Sequence, residues 1–327
     1  MRVLLTGANG FVGSHVLDRL LLDGHDVAVM LRKASDTRFI EGQLPRVEVR
    51  YGSLESARLL QAVVHGAEVV IHCAGKTKAL RKAEYYAVNA EGTRSLLEAC
   101  KMAVPPVRRI VHVSSLAAAG PGLPESPSAE DDEPHPVTAY GESKLLGERC
   151  VRQQQAVPYV ILRPAAVYGP RDADLFLAFK SVRRGVAPLI KGGKQPLSLI
   201  YAPDVAEAVV RAVKCPACEG GTYNLAHPEP CTQRELVSTI AGAMGTDPFR
   251  LYVPAFALYP ACLVRGLWSR ITGRPSIVSL GKIPEYTAPG WVAATGSAAR
   301  DLGFVAPTPL DRGVKLTLQW YEANGWL

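Results

Sequence analysis

The sequence predicts an α/β fold: a Rossmann-type, doubly wound parallel sheet with a smaller C-terminal lobe. Three observations predict it. Short β-branched runs alternate with longer runs of helical period, the pattern of parallel strands joined by crossover helices. Runs such as Val69-Val70-Ile71 are apolar without interruption, as strands covered on both faces must be. A glycine-rich turn, Thr6-Gly7-Ala8-Asn9-Gly10-Phe11-Val12-Gly13, joins the first strand to the first helix.

Strands are expected at Val3–Thr6, Asp26–Leu31, Val47–Tyr51, Val69–Cys73, Arg109–Ser114 and Tyr159–Arg163. Helices are expected at Phe11–Leu22, Ser56–Val64, Tyr85–Met102 and Ala139–Gln155, the first closed by Gly24. Past about residue 170 the alternation loosens, although Asp204–Val213 and Gln233–Met244 keep an amphipathic period and Tyr223-Asn224-Leu225 reads as a short strand. Residues 1–170 are therefore expected to form the sheet domain and 171–327 mainly a substrate-side lobe, with segments near 197–226 returning to the sheet. Pro121–Thr138 combines five prolines with an acidic run, so it should be a long surface loop, placed like a lid between a strand end and a helix. No internal repeat is present.

A length of 327 residues exceeds the ~100–200 usual for one domain and allows a sizeable core without staples. With 48% hydrophobic and 20% charged residues the composition excludes disordered, collagenous and coiled-coil classes. The net charge of +7 is dispersed in pairs such as Arg81-Lys82, Arg108-Arg109 and Arg183-Arg184, a solvated face rather than a nucleic-acid site. Seven cysteines, an odd number, and a start at Met1-Arg2-Val3-Leu4-Leu5 without a signal-peptide layout point to a reducing cytoplasm. The best candidate span, Leu251–Val264, is shorter than the ~20 residues a membrane helix needs and contains Pro254 and Pro260.

Glycines at the strand–helix junction let the backbone turn tightly and approach a pyrophosphate, while amides at the helix start bind the anion, so the turn reads as a dinucleotide site. The second strand ends at Arg32-Lys33, where an NAD site would offer a carboxylate to the ribose 2′-hydroxyl. A guanidinium grips a 2′-phosphate instead, so NADP is expected, with NAD as the alternative. Tyr140-Gly141-Glu142-Ser143-Lys144 sets a phenol and an ammonium four residues apart on one face of a helix start. A neighbouring Lys⁺ and a cofactor cation would favour the phenolate of a group whose free pKa is about 10. Ser114-Ser115, at the end of the preceding strand, can hold a substrate oxygen beside that phenol.

On these residues the chain resembles the extended short-chain dehydrogenases/reductases of the NAD-dependent epimerase/dehydratase and 3β-hydroxysteroid dehydrogenase type. The resemblance runs through Thr6–Gly13, Ile71-His72-Cys73-Ala74-Gly75, Val88–Thr93, Val113-Ser114-Ser115, Tyr140–Lys144, Arg163-Pro164, Val167–Pro170, Asp204-Val205-Ala206 and Tyr223–Ala226. It implies that Tyr140 is the acid–base catalyst, that Lys144 lowers its pKa and binds the nicotinamide ribose, and that Ser115 orients the substrate hydroxyl. Aligning Ala119-Gly120 with the family's Tyr-Gly selects Ser115 over Ser114. It further implies a cofactor held by Gly7, Asn9, Gly10, Phe11, Val12 and Gly13, by Arg32, by Ala74 and Gly75 at the nicotinamide-side ribose, and by Pro164 at the carboxamide. The adenine contact falls on Ser53 and Leu54, where the family's Gly-Asp-Leu reads Gly52-Ser53-Leu54. A homodimer through the Tyr85–Met102 and Ala139–Gln155 helices is also implied.

Two departures bear on the substrate. Nucleotide-sugar enzymes of this type commonly place an arginine shortly before Asp-Val-Ala, but Gln195–Tyr201 has no cation, with Lys191 and Lys194 just upstream. Phe249–Trp268 is unusually apolar and is accompanied by Arg265, Arg270 and Arg274, which reads either as a flap touching a membrane surface through 249–274 or as a core helix. Cys215, Cys218, His227 and Cys231 have the types and spacing of a zinc site, but a strand between the second cysteine and His227 makes convergence awkward. Reduced surface thiols and no metal are expected, and His72 and His112 should be packed in strands.

The expectation is therefore an NAD(P)-dependent oxidoreductase moving a hydride between nicotinamide and a secondary alcohol or ketone of a fairly apolar, sterol-like small molecule. The alternative within enzymes is a nucleotide-sugar epimerase or dehydratase. From another class comes a non-catalytic NADP(H)-binding sensor, which would be expected to lose the Tyr or Lys that this chain keeps.

Overall fold

The structure, a computed structural model, describes residues 1–273, 276 and 279–327, with the side chains of Leu267 and Arg270 left out of the account. Arg274 thus lies outside the described residues. The main strands are β1 (Arg2–Thr6), β2 (Asp26–Leu31), β3 (Glu48–Tyr51), β4 (Val69–His72), β5 (Arg109–Val113) and β6 (Tyr159–Pro164). Three short strands follow, β7 (Ala166–Tyr168), β8 (Val186–Ile190) and β9 (Pro196–Leu197), then β10 (Leu199–Tyr201), β11 (Thr222–Leu225), β12 (Cys231–Thr232) and β13 (Phe249–Val253). A parallel seven-stranded sheet runs in the order β11-β6-β5-β4-β1-β2-β3, while β7 pairs with β10, β9 with β12 and β8 with β13. The chain order reverses between β1 and β4, where Thr6 stands in register with His72. Such a switch point opens a crevice at the carboxyl ends of the strands.

Helices α1 (Phe11–Leu22), α2 (Ala57–Val64), α3 (Lys82–Tyr86), α4 (Gly92–Lys101) and α5 (Ala139–Gln153) belong to the first half. They are followed by α6 (Phe176–Arg183), α7 (Ala202–Lys214), α8 (Gln233–Met244), α9 (Leu258–Thr272), α10 (Ile283–Thr287), α11 (Gly296–Asp301) and α12 (Leu310–Ala323). One face of the sheet buries Val3, Leu5, Val29 and Ile71 against Val16, Leu17 and Leu20 of α1 and Val205 and Val209 of α7. The other buries Leu4, Val70 and Ile110 against Leu60 of α2, Leu96 of α4 and Val151 of α5. The central strands are buried on both faces, which is why β1, β2 and β4 carry uninterrupted apolar runs, whereas the edge strand β3 does not. A third core, with Phe179, Leu189, Ile240 and Tyr321, lies in the C-terminal half.

Two expectations change. The helix expected over Tyr85–Met102 is broken by a π-helical turn at Ala87–Glu91, whose wider ladder turns the buried Asn89 toward the crevice. The Pro121–Thr138 loop is not a free lid: Ser128 N donates to the Val292 carbonyl at 2.8 Å, Val292 N to Gly122 at 3.0 Å and His135 N to Ala119 at 2.8 Å. Its prolines prevent regular pairing without preventing single bridges to the 291–294 segment.

Candidate active site

The glycine turn closes on the switch point. Gly7 has φ +73°, and a Cβ there would lie 2.6 Å from the Ala74 amide nitrogen; one on Gly13 would lie 2.0 Å from the Gly7 carbonyl. Only glycine permits β1, α1 and the end of β4 to approach this closely. Helix α1 has Gly10 as N-cap, with no side-chain cap and no acidic residue in its first turn. Its N-terminal amides and positive dipole end are left to an anion, so the backbone fits a pyrophosphate. Asn9 is directed to the next loop, its Nδ2 donating to the Asp36 carbonyl at 3.0 Å. That loop begins at Arg32, which is exposed and whose amide donates to Ser35 Oγ at 3.0 Å.

A chain of polar contacts ties this turn to α5. Ala74 N donates to Thr6 Oγ1 at 3.3 Å, and Thr6 Oγ1 lies 2.7 Å from His72 Nδ1. His72 Nε2 lies 3.1 Å from Thr93 Oγ1, which donates to the Asn89 carbonyl at 2.8 Å. Because the Thr93 hydroxyl proton is committed to Asn89, His72 must donate from Nε2 and accept at Nδ1 as the neutral imidazole. Burial, with the Lys144 charge, pushes His72 down to about 3, consistent with that form. Asn89 Nδ2 reaches Ser143 Oγ at 2.9 Å, and Ser143 donates to the Tyr140 carbonyl at 2.7 Å. Asn89 lies in the Val88–Thr93 motif, and the sequence alone assigns it no role. His112, its ring tilted against that of His72 at a centroid distance of 5.3 Å and buried, is packed in the sheet.

At the end of β5 the two serines part. Ser114 is buried and donates to Glu148 at 2.6 Å; Ser115 is half-buried, and its hydroxyl accepts from the Ala117 amide at 3.2 Å. Ser115 also lies near enough to the Tyr140 phenol for its hydroxyl to favour the phenolate. A Cβ on Gly141 would lie 2.2 Å from the Ala117 carbonyl, so glycine is needed for α5 to press Tyr140 onto the Ser115 turn. Lys144 is buried one turn on, donating to the Val113 carbonyl at 2.8 Å, with its Nζ 3.8 Å from where a Cβ of Gly75 would stand. Burial pushes the Lys144 ammonium down to about 8 against the upward pull of Glu148.

Burial also pushes the Tyr140 phenol up to about 12; the Ser115 hydroxyl lowers it, and Glu285 and Tyr85 raise it. Burial is thus the largest influence on the phenol in this fold. Lys144 lies against a carbonyl, while Glu285 of α10 acts on the phenol. Lys282, just before α10, places Nζ 4.5 Å above the Tyr140 ring and is paired with Glu285 at 2.7 Å. Glu285 also accepts from Thr138, the N-cap of α5, at 2.8 Å. Lys282 and Glu285 were missed from sequence because they lie more than a hundred residues from Tyr140.

Among the remaining expected residues, Ser53 accepts from the Glu55 amide at 3.3 Å, and the Leu54 side chain is buried in the α2–α4 core, leaving backbone for any adenine contact. Pro164 is buried at the end of β6. Cys215 and Cys218 are joined in a disulfide rather than held as free thiols, because a single 3₁₀ turn brings their Cα atoms to 5.6 Å. No cluster of potential metal ligands occurs among the described residues, and His227 Nδ1 instead accepts from Glu229 N at 3.2 Å. No described helix is long and apolar enough to cross a membrane.

Tyr140 opens into a cavity of about 840 Å³ bounded on one side by Tyr85 and Lys282 and on the other by Cys262, Leu263 and Val264 of α9. A dinucleotide cradle at a switch point, with a Ser–Tyr–Lys set beside an empty-walled cavity, defines a Rossmann-fold oxidoreductase. The chain belongs to the NAD dependent epimerase/dehydratase family, whose sequence profile matches residues 3–226. It is an enzyme of the extended short-chain dehydrogenase/reductase type. It is 30% identical over 325 residues to the ceramide reductase of Caulobacter vibrioides (strain NA1000 / CB15N), covering 99% of this chain and 96% of that one. It is 26% identical over 268 residues to the sterol-4-alpha-carboxylate 3-dehydrogenase, decarboxylating, of Bos taurus, covering 77% and 72% respectively. The structure of MoeE5 in complex with UDP-glucuronic acid and NAD superposes with a TM-score of 0.77 at 25% identity, covering 99% of both chains' lengths or more.

Proposed function

We propose that this protein is an NAD(P)-dependent dehydrogenase or reductase acting on a secondary alcohol or ketone of an apolar molecule. The observation behind this reading is the Tyr140 phenol, lying near Ser115 at the mouth of a cavity whose far wall is the apolar helix α9. Ser115 positions the substrate oxygen, and Tyr140 gives or takes its proton. Lys144 and Gly75 meet where the nicotinamide ribose would lie, so the buried ammonium has a ribose hydroxyl to bind. Bound nicotinamide supplies or accepts the hydride and, when oxidised, brings a positive charge that favours the phenolate. Exposed Arg32 at the tip of β2 supports NADP over NAD.

The Gln195–Tyr201 segment supports the apolar substrate over a nucleotide sugar. Gln195 is engaged by the Ala288 carbonyl at 2.7 Å and Lys191 by the Thr287 carbonyl at 3.2 Å, which leaves exposed Lys194 as the nearby cation for a diphosphate. The names of the ceramide and sterol relatives point the same way. We also read the α4 and α5 helices as a homodimer surface. The function is tested by following reduced nicotinamide while the protein is offered NADP⁺ or NAD⁺ with apolar secondary alcohols and, separately, nucleotide sugars. Net reduction with an apolar alcohol is expected, and Tyr140→Phe should lower turnover at least ~100-fold while cofactor binding stays intact. Conversion of a nucleotide sugar with no net reduction would replace this reading by an epimerase or dehydratase.

A further inference from the structure

The outer side of the C-terminal lobe has an extended apolar face that reaches beyond the cavity wall. Helix α9 rests on the protein along one stripe, with Leu258, Cys262 and Ser269 at 9%, 0% and 7% exposure. Around the rest of the helix Tyr259, Leu263, Val264, Trp268 and Ile271 are between 55% and 71% exposed. Phe256, in the turn before the helix, and Phe249 and Tyr252 on β13 extend the same exposed character. Apolar side chains scattered singly are ordinary on a protein surface, whereas a run of this size marks a binding surface.

Charge says what covers it. From Pro248 to Pro284 the sequence contains Arg250, Arg265, Arg270, Arg274 and Lys282 and no Asp or Glu. Arg250 and Arg265 are exposed beside the apolar residues. A second copy of the chain docking by the same patch would set these cations against one another, because a two-fold interface repeats each surface on both sides. An anionic phospholipid layer meets both features, taking the apolar side chains among its acyl chains and the arginines at its phosphates. The same helix borders the cavity: buried Cys262 and the exposed Leu263 and Val264 line the space into which Tyr140 opens, so the apolar face runs up to the cavity's edge.

We infer that α9, with the edge of β13, docks in the interface of a membrane containing anionic phospholipid and passes a long-chain substrate past Leu263 and Val264 to Tyr140. The docking stands on the surface alone; the passage of substrate rests on the apolar-substrate reading. The full-length protein is floated with vesicles of phosphatidylcholine or of an equal mixture of phosphatidylcholine and phosphatidylglycerol, without substrate. Partition into the mixed vesicles is expected, at least about tenfold stronger than into phosphatidylcholine. Trp268→Ser with Ile271→Ser, neither of which lines the cavity, should weaken it at least about tenfold, and Arg265→Glu about fivefold or more. Absence of partition, or binding unchanged in the double variant, overturns docking. So does a doubled mass in solution that the double variant halves, which would identify a second copy as the occupant. Hydride transfer with a short, water-soluble secondary alcohol is read on the same samples, so failure of the reaction and failure of docking are told apart.

Discussion

Glu148→Gln is the most informative single change outside the reacting atoms. Glu148 of α5 is fully buried and accepts four hydrogen bonds: from Ser114 at 2.6 Å, Arg163 at 2.9 and 2.7 Å, and Arg152 at 3.0 Å. These bonds join the ends of β5 and β6 to the helix bearing Tyr140 and Lys144. Glutamine keeps one oxygen, enough for Ser114 and Arg163 Nε, but sets its amide against the other two guanidinium donors. Two charge-assisted bonds at ~1.5–3 kcal/mol each are lost, and Arg163 is left as an uncompensated buried cation. The sum agrees with the ~3–5 kcal/mol typical of breaking a buried pair from one side. Urea unfolding monitored by circular dichroism measures it. Burial alone would raise the Glu148 carboxyl, but Arg163, Ser114 and Arg152 outweigh it and hold the pKa below the usual carboxylate range. The stabilisation is therefore present above the unfolded carboxylate pKa and lost as pH falls through the lower folded value. The gap between the two proteins should narrow in acid. A loss below about 1 kcal/mol at neutral pH, or a gap independent of pH, would refute the argument.

Three further outcomes are expected. Gly13→Ala places a methyl 2.0 Å from the Gly7 carbonyl and should weaken NAD(P) binding by about a hundredfold, read by calorimetric titration; near-normal affinity would remove the glycine turn from the cofactor site. Burial lowers His72 to about 3 and His15 to about 4, so the unfolded chain binds more protons in acid. Stability should fall as pH drops below about 6.5, by up to ~1.4 kcal/mol per pH unit for each histidine, and unfolding midpoints that stay level between about pH 7 and 5 would contradict this. Glu285→Gln removes a negative charge acting on the Tyr140 phenol, so the limb of the pH–rate profile belonging to that phenol should move to lower pH; no movement would separate α10 from the chemistry.

The sheet was legible because its signals are local. A strand covered on both faces must be apolar along its whole length, and β2 and α1 have the boundaries the pattern predicts. The glycine turn and the Tyr140–Lys144 spacing were readable for the same reason: each is fixed within a single turn or junction. Ser115 was preferred by alignment; in the fold Ser114 is committed to Glu148, while Ser115 accepts from the Ala117 amide and is left half-buried.

What the sequence determined by itself was thus the order of elements, their helical or strand character, and the chemical groups at the ends of β1 and β5. Tertiary structure alone decided which distant groups surround them. The π-turn at Ala87–Glu91 aims Asn89 at Ser143, and α10 brings Lys282 and Glu285 to Tyr140. The phenol's pKa is raised first by burial and then by Glu285 and Tyr85, and burial of this kind cannot be read from the Tyr–Lys spacing. In the same way, an apolar run reads alike whether it is core or surface. Phe249–Trp268 was ambiguous until packing showed α9 resting on a narrow stripe with most of its apolar side chains outward. Local periodicity fixes a residue's place on its own element; long-range contacts fix what that place faces.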